Sequence, residues 1–377
     1  MEKITYINAN IFCDGEFRYG SFAVSKGRFE DVLNEGSIEG RTVDLDGAFV
    51  IPGLIDIHTH GNSGEDFSDG SYEGIEKMAG YLAREGITSF APASMTLPYE
   101  TLEKAYRAGR EFHEKMPEGH SRLMGINMEG PFFSMKRKGA QNGAYLKDPD
   151  IEAFKRLFEI SGGLIRIVDI AAELNGAEAF AKEASGMCTV SIAHSDAGYE
   201  DAKKVIEAGA THITHLFNAM PGIHHRNPGI IGAASENENV TAELICDGYH
   251  VHESAVRMAL KLFPGRICII SDSLRCCGMP DGEYELGGQT VYLKGSLARL
   301  EDGTIAGSAT NLYACMLNAV RFGMSREEAV RAVTEIPARE IGRSDEIGSV
   351  KDGLYADFVV CDKDLTKKKV FIGGKEI

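Results

Sequence analysis

The sequence has no apolar run approaching the ~20 residues that a membrane-spanning helix needs, and its Met1-Glu2-Lys3 start leads into an alternating, strand-like segment rather than a signal sequence. A cytoplasmic protein without a membrane partner is expected. Positive charge is also scarce. Forty Lys and Arg stand against 56 Asp and Glu, a formal net charge of −16, which repels phosphate backbones and argues against a nucleic-acid partner. The dense basic runs, Lys136-Arg137-Lys138 and Lys367-Lys368-Lys369, read as solvated loops or turns. Eight cysteines form no CxxC pair and no regular framework, and most lie inside apolar runs, so disulfides are not expected. Adjacent Cys276 and Cys277 read as a loop pair, with a place in a pocket lining as the alternative. Internal repeats and low-complexity segments are absent too.

What remains is an ordinary soluble globular composition, 43% hydrophobic and 25% charged, over 377 residues. That length suits one large domain plus a small accessory one. Residues 1 to about 50 alternate apolar and polar with Gly-containing turns, the period of short antiparallel strands. From Ala48 onward buried strand runs alternate with helical stretches, which implies parallel strands with crossover helices. Strands are expected at 48–57, 87–94, 122–129, 164–172, 187–194, 211–216, 240–246 and 267–272. Helices are expected at 72–85, 99–115, 151–160, 176–185, 199–208, 252–262, 311–322 and 326–336. Eight such units point to an α/β fold, a (β/α)₈ barrel of the TIM type. Strand patterns return past Arg343, so both chain ends are expected to complete one small β-sandwich. The domain expectation is 1–51 and 344–377 for that sandwich, and 52–343 for the barrel, with a β-hairpin insert at about 277–307.

The strongest chemical signal is Pro52-Gly53-Leu54-Ile55-Asp56-Ile57-His58-Thr59-His60, an apolar strand ending in two histidines. Residues two apart on a strand point to the same side, so both imidazoles can reach one metal ion. Glu129, His194, His215 and Asp272 stand at the ends of other expected strands. Singly, each can be a helix cap. In a barrel those ends converge on one mouth, the place of catalysis in this fold. Four imidazoles and two carboxylates suit Zn²⁺ or Fe²⁺, with Mn²⁺ and Co²⁺ of the same class, better than Ca²⁺ or Mg²⁺. Six ligands suffice for one or two ions, with Glu129 as the bridge in the second case.

At these residues the chain resembles the N-acetylglucosamine-6-phosphate deacetylase branch of the amidohydrolase superfamily, nearly end to end. The matching segments are PGLIDIHTHG (52–61), EGITSFAPAS (85–94), NMEGPFFS (127–134), KGAQ (138–141), SIAHSDA (191–197), THLFNAMPG (214–222), HHRNPGIIG (224–232), CDGYHVH (246–252), ISDS (270–273), GTIAGS (303–308) and GSVKDGLYADFVV (348–360). The resemblance implies hydrolysis of the acetamide of N-acetylglucosamine 6-phosphate to glucosamine 6-phosphate and acetate. It implies a metal on Glu129, His194 and His215, a second ion site at His58 and His60, and Asp272 as the proton carrier and possible second-ion ligand. For substrate it implies Arg226 and the Asn218-Ala219 backbone on the phosphate, His250 on the sugar, the backbone of Ile305-Ala306-Gly307, and Ala140-Gln141, where some relatives carry His in place of Gln141. A homodimer is implied as well. His224 and His225 adjoin Arg226, His212 and His252 are expected to pack or cap, and His113 and His120 to face solvent.

Two other readings stay open on the residues alone. One is an amidohydrolase acting on a cyclic amide, an amidine or an amino-acid amide, since a metal constellation does not fix a substrate. Relatives of that kind often bridge their ions with a modified lysine after the fourth strand, whereas this chain reads Asp169-Ile170-Ala171-Ala172-Glu173 there. The other is a non-catalytic assembly protein on the same scaffold.

Overall fold

The computed structural model describes residues 3–34 and 40–377. Its centre is an array of parallel strands alternating with helices. In chain order the strands are β1 (Leu54–Thr59), β2 (Ile87–Pro92), β3 (Arg122–Leu123), β4 (Ile126–Met128), β5 (Ile165–Ile170), β6 (Thr189–Ile192), β7 (Ala210–Ile213), β8 (Thr241–Ile245) and β9 (Ile267–Ile270). One sheet has the order β3-β2-β1, and the other runs in sequence from β4 to β9. Parallel bridges between Thr59 and Ser273 and between Ala93 and Asn127 join the two sheets.

The helices between the strands form where apolar residues recur at helical spacing and a polar residue caps the start. In Tyr72–Arg84, the Ser71 side chain accepts from the Gly74 N–H, while Ile75, Met78, Ala79 and Leu82 face the core. Tyr99–Lys115 and Ile151–Ile160 have the expected bounds. The helix Gly229–Ser235 was not expected, because its seven residues include two glycines that weaken the helical signal. The stretch 326–336 is two helices, Arg326–Ala332 and Glu335–Glu340. Pro337 cannot donate to the Val333 carbonyl, so the first helix cannot run through it.

Two expected strands are also split. In 48–57, Phe49–Pro52 pairs with the terminal strands and only Leu54–Thr59 joins the parallel array. Gly53 between them packs so closely that a Cβ there would lie 2.0 Å from Thr88 Oγ1. In 122–129, β3 pairs with β2 and β4 with β5, so the break falls where the chain passes from one parallel sheet to the other.

Strands from both chain ends share one eight-stranded sheet. This sheet curls. Phe29, at one edge, donates its N–H to Leu354 O at 3.0 Å, just ahead of the strand Phe358–Cys361 near the other end. Tyr6, Phe22, Phe29, Phe358 and Phe371 fill its interior. The segment expected as a hairpin is a four-stranded antiparallel meander, Gly282–Leu286, Gln289–Lys294, Leu297–Leu300 and Ile305–Ser308. Gly295, at φ 63°, turns the chain between the meander's second and third strands, which makes the segment longer than a two-stranded hairpin. Its last strand bridges to Ser273, which brings it beside the end of β9. All eight cysteines are free. Cys276 and Cys277 are both buried, with Cys277 Sγ 3.6 Å from the Tyr81 hydroxyl. Among the described residues no helix is long and apolar enough to cross a membrane.

Candidate metal centre and active site

The six expected ligands lie at or just past the C-terminal ends of β1, β4, β6, β7 and β9 and form two buried groups. His58, His60 and Asp272 make one, and Glu129, His194 and His215 the other. His194, His215 and Asp272 have left-handed backbones, with φ of 45°, 34° and 49°. Each such conformation costs a non-glycine residue roughly 1–2 kcal/mol. The cost recurs at the ends of β6, β7 and β9, where the chain turns its side chains into one space.

Glu129 stands between the groups. Its Oε1 lies 3.0 Å from His194 Nε2 and 3.3 Å from His215 Nε2, while Oε2 lies 3.1 Å from His60 Nε2. Asp272 Oδ1 is 3.4 Å from His60 Nε2 and 3.7 Å from His58 Nε2. The tautomers follow from the outer nitrogens. His194 Nδ1 donates to the Arg137 carbonyl at 2.9 Å, and His58 Nδ1 donates to Glu243 Oε2 at 2.9 Å. Both Nε2 lone pairs therefore turn inward.

This arrangement fits a divalent cation. His194 Nε2 and His215 Nε2 are 3.1 Å apart beside a carboxylate oxygen, a clash of lone pairs unless positive charge lies among them. His58 Nε2 is buried with no hydrogen-bond partner among the described residues. Burial pulls the His60 pKa down, but Glu129 and Asp272 outweigh it and push it up to about 10. His58 rises well above its ordinary value by the same balance, with Glu243 its chief partner. Glu129 and Asp272 move the other way. Burial raises each carboxyl, and the surrounding histidines hold both below the usual range.

Above the ligands lies a cavity of about 170 Å³. His60, Glu129, His194, His215 and Asp272 line it, and His58 is fully buried outside its lining. Among the substrate-side expectations, Ala140, Gln141, Asn218, Ala219, His250, Ile305, Ala306 and Gly307 all line the cavity. Arg226 does not. It sits on an exposed loop with Nη1 2.7 Å from His225 Nε2.

Several side chains are already committed. The Gln141 oxygen accepts from Thr96 N at 2.8 Å, which turns its amide to donate to Glu129 Oε2 at 2.8 Å. Gln141 therefore holds the shared carboxylate as well as lining the cavity. The Asn218 N–H, expected as a donor to substrate, closes a turn onto His215 O at 2.9 Å. His250 Nδ1 pairs with Asp247 Oδ2 at 2.7 Å, and this contact outweighs burial to raise the imidazole above its ordinary value. His252 caps the helix Glu253–Leu262, while His212 is buried against Ser191. His113, expected at the surface, is half-buried because Nδ1 bonds the Leu123 carbonyl at 2.7 Å.

Glu243 and Asp247 were missed by the sequence reading. Each left a signal: a lone acid inside the apolar strand Thr241–Ile245, and an acid three residues before His250. Asp169, inside β5, was also passed over. Burial and nearby Glu243 push its carboxyl up to about 8, and Thr214 Oγ1 donates to it at 2.8 Å.

Comparison with known proteins adds an independent line. The amidohydrolase family model matches residues 49–377. A Bacillus subtilis (strain 168) protein named N-acetylglucosamine-6-phosphate deacetylase is 35% identical over 353 residues, covering 92% of this chain and 89% of its own. An Escherichia coli O157:H7 protein named N-acetylgalactosamine-6-phosphate deacetylase is 32% identical over 334 residues, covering 88% of each chain. A Mycobacterium smegmatis N-acetyl-D-glucosamine-6-phosphate deacetylase mutant, solved with N-acetyl-D-glucosamine-6-phosphate, superposes with a TM-score of 0.91 at 28% identity. That match covers 100% of this chain and 99% of the other.

Proposed function

The chain belongs to the amidohydrolase family, in its N-acetylglucosamine-6-phosphate deacetylase branch, and we propose that it hydrolyses N-acetylglucosamine 6-phosphate to glucosamine 6-phosphate and acetate. The observation that carries this reading is the meeting of two ligand groups at Glu129, on the wall of a cavity in a chain matched over most of its length by such deacetylases. We read the two bridged parallel sheets as one closed (β/α)₈ barrel over 52–343. The curled sheet of 1–51 and 344–377 is then a small β-sandwich beside it.

Glu129, His194 and His215 would hold one ion, and His58, His60 and Asp272 would help hold a second. Zn²⁺ or Fe²⁺ suits this mixture of imidazole and carboxylate. When bound, such an ion supplies Lewis-acid polarisation of the amide oxygen and lowers the pKa of water from 15.7 towards about 7. The remaining chemistry belongs to Asp272. Its carboxyl lies below the usual range, so at neutral pH it is a base. It accepts a proton from the water whose oxygen attacks the acetyl carbon. As the C–N bond breaks, Asp272 returns that proton to the nitrogen, which would otherwise leave as an amide anion. The products are acetate and the amine, which takes up the water's second proton and leaves as the ammonium form. Gln141, anchored by Thr96, keeps Glu129 oriented throughout.

Arg226 is the proposed phosphate ligand. Its planar guanidinium suits a phosphate dianion, and its exposed loop continues from Asn218 and Ala219 on the cavity wall. A 6-phosphate at the mouth would meet it there. His250 and the backbone of Ile305-Ala306-Gly307 would contact the sugar. The expected working form is a cytoplasmic homodimer.

Steady-state deacetylation of N-acetylglucosamine 6-phosphate, N-acetylgalactosamine 6-phosphate and unphosphorylated N-acetylglucosamine tests the reading. The expected result is a strong preference for the 6-phosphates over the unphosphorylated sugar, with Arg226→Ala raising KM for the phosphorylated sugars alone. No turnover of any of the three by ion-loaded protein would reject the deacetylase assignment. An equal effect of Arg226→Ala on all substrates would reject the phosphate role.

A further inference from the structure

Glu243 is the only acid in the strand Thr241–Ile245 and is fully buried. One of its oxygens, Oε2, touches both ligand groups. It lies 2.9 Å from His58 Nδ1 and accepts from the His215 backbone N–H at 3.1 Å. The Glu243 carbonyl takes the next N–H, from Leu216, at 2.9 Å. Its other oxygen faces His212 Nε2 at 3.9 Å.

A charge at this depth is a poor source of stability. Desolvating a carboxylate costs several kcal/mol, and an apolar residue of similar volume often does as well or better. What the carboxylate provides is direction. A buried carboxylate can only accept here, so His58 must carry a proton on Nδ1, which leaves Nε2, aimed towards Glu129 and Asp272, as its one nitrogen for an ion. The same oxygen pins the backbone of His215, whose φ of 34° lies in the strained left-handed region.

We propose that Glu243 is a positioning residue that sets the tautomer and orientation of His58, and so decides whether the group His58, His60 and Asp272 can hold an ion. This rests on the reading above that both groups bind metal. It concerns a residue that would touch neither ion nor substrate.

The test is cobalt(II) titration of chelator-stripped protein, followed through the visible bands of the bound ion and by ions bound per chain. Glu243→Leu and Glu243→Gln are compared with the wild type, and apo-protein unfolding is recorded for each. In Glu243→Leu, affinity at the His58 group is expected to fall about 10–100-fold, the usual effect of losing an outer partner of a metal-ligating histidine. Affinity at Glu129, His194 and His215 should fall by less, because that group loses only the hydrogen bond to the His215 backbone and keeps its own ring partners. Glu243→Gln keeps an oxygen that can accept from both N–H groups, and should recover most of the loss. Wild-type affinities in Glu243→Leu would overturn the inference. So would an equal loss at both groups together with a destabilised apo-protein, because that outcome describes packing alone. A wild-type chain that binds one cobalt would overturn it while leaving the deacetylase reading intact. A wild-type chain that binds none would overturn the metal reading itself.

Discussion

In the curled terminal sheet, Phe358 stacks on Phe371 at 4.3 Å and meets Phe22 edge-on at 5.2 Å, while at the strand ends of the parallel array imidazoles and carboxylates occupy a volume just as buried. The rings gain from burial itself, at roughly 1.5–3 kcal/mol for each large side chain removed from water. The polar groups lose by it. Burial acts against the charge on His60, Glu129 and Asp272, and neighbours of opposite sign restore it. Burial thus serves cohesion in one region and raises the strength of charge interactions in the other. Substitutions in the two regions should separate stability from turnover.

Asp272→Asn is expected to have the largest effect, lowering kcat about 10²–10⁴-fold through loss of the proton carrier. Its thermal midpoint should stay close to the wild type. Steady-state kinetics beside an unfolding curve would check both, and a large fall in stability with modest loss of turnover would break the contrast. Phe358→Ala should do the reverse. Removing a buried ring should cost about 3–5 kcal/mol of stability, with kcat per folded molecule unchanged, as measured by denaturant titration and activity on the same samples.

The smallest effect concerns His250. Asp247 holds its pKa above the ordinary value of 6.5, so the protonated imidazole persists at low pH and is lost as pH rises through that elevated value. In Asp247→Asn the support is gone and the folded pKa falls. If the protonated imidazole is the form that contacts the sugar, KM should begin to rise at a lower pH in the variant than in the wild type, and the two profiles should converge only below the variant's own lowered pKa. Coincident KM profiles would remove His250 from charge recognition.

The site was more legible in the sequence than its supports. His58 and His60 stand out because an apolar run ends on them, and the other ligands because each ends a run of its own. Strand ends and ligands shared one signal. Glu243 interrupts a strand without ending it, and nothing local says that His58 lies across the array, 185 residues away. The splits at Gly53 and Met124-Gly125 were hidden for a related reason: partner choice changes along a continuous apolar run, and periodicity records burial rather than partners. The helix pair after Arg326 was readable in principle from Pro337. Arg226 marks a different limit, because motif identity located its loop but not where its side chain would rest.

The most direct test is acetate release from N-acetylglucosamine 6-phosphate by protein stripped with a chelator and reloaded stepwise with zinc, with ion content per chain measured in the same samples. The account predicts no release without ion, release that grows with ion content, and little release from Asp272→Asn at full loading. Undiminished acetate release from ion-free protein would contradict it.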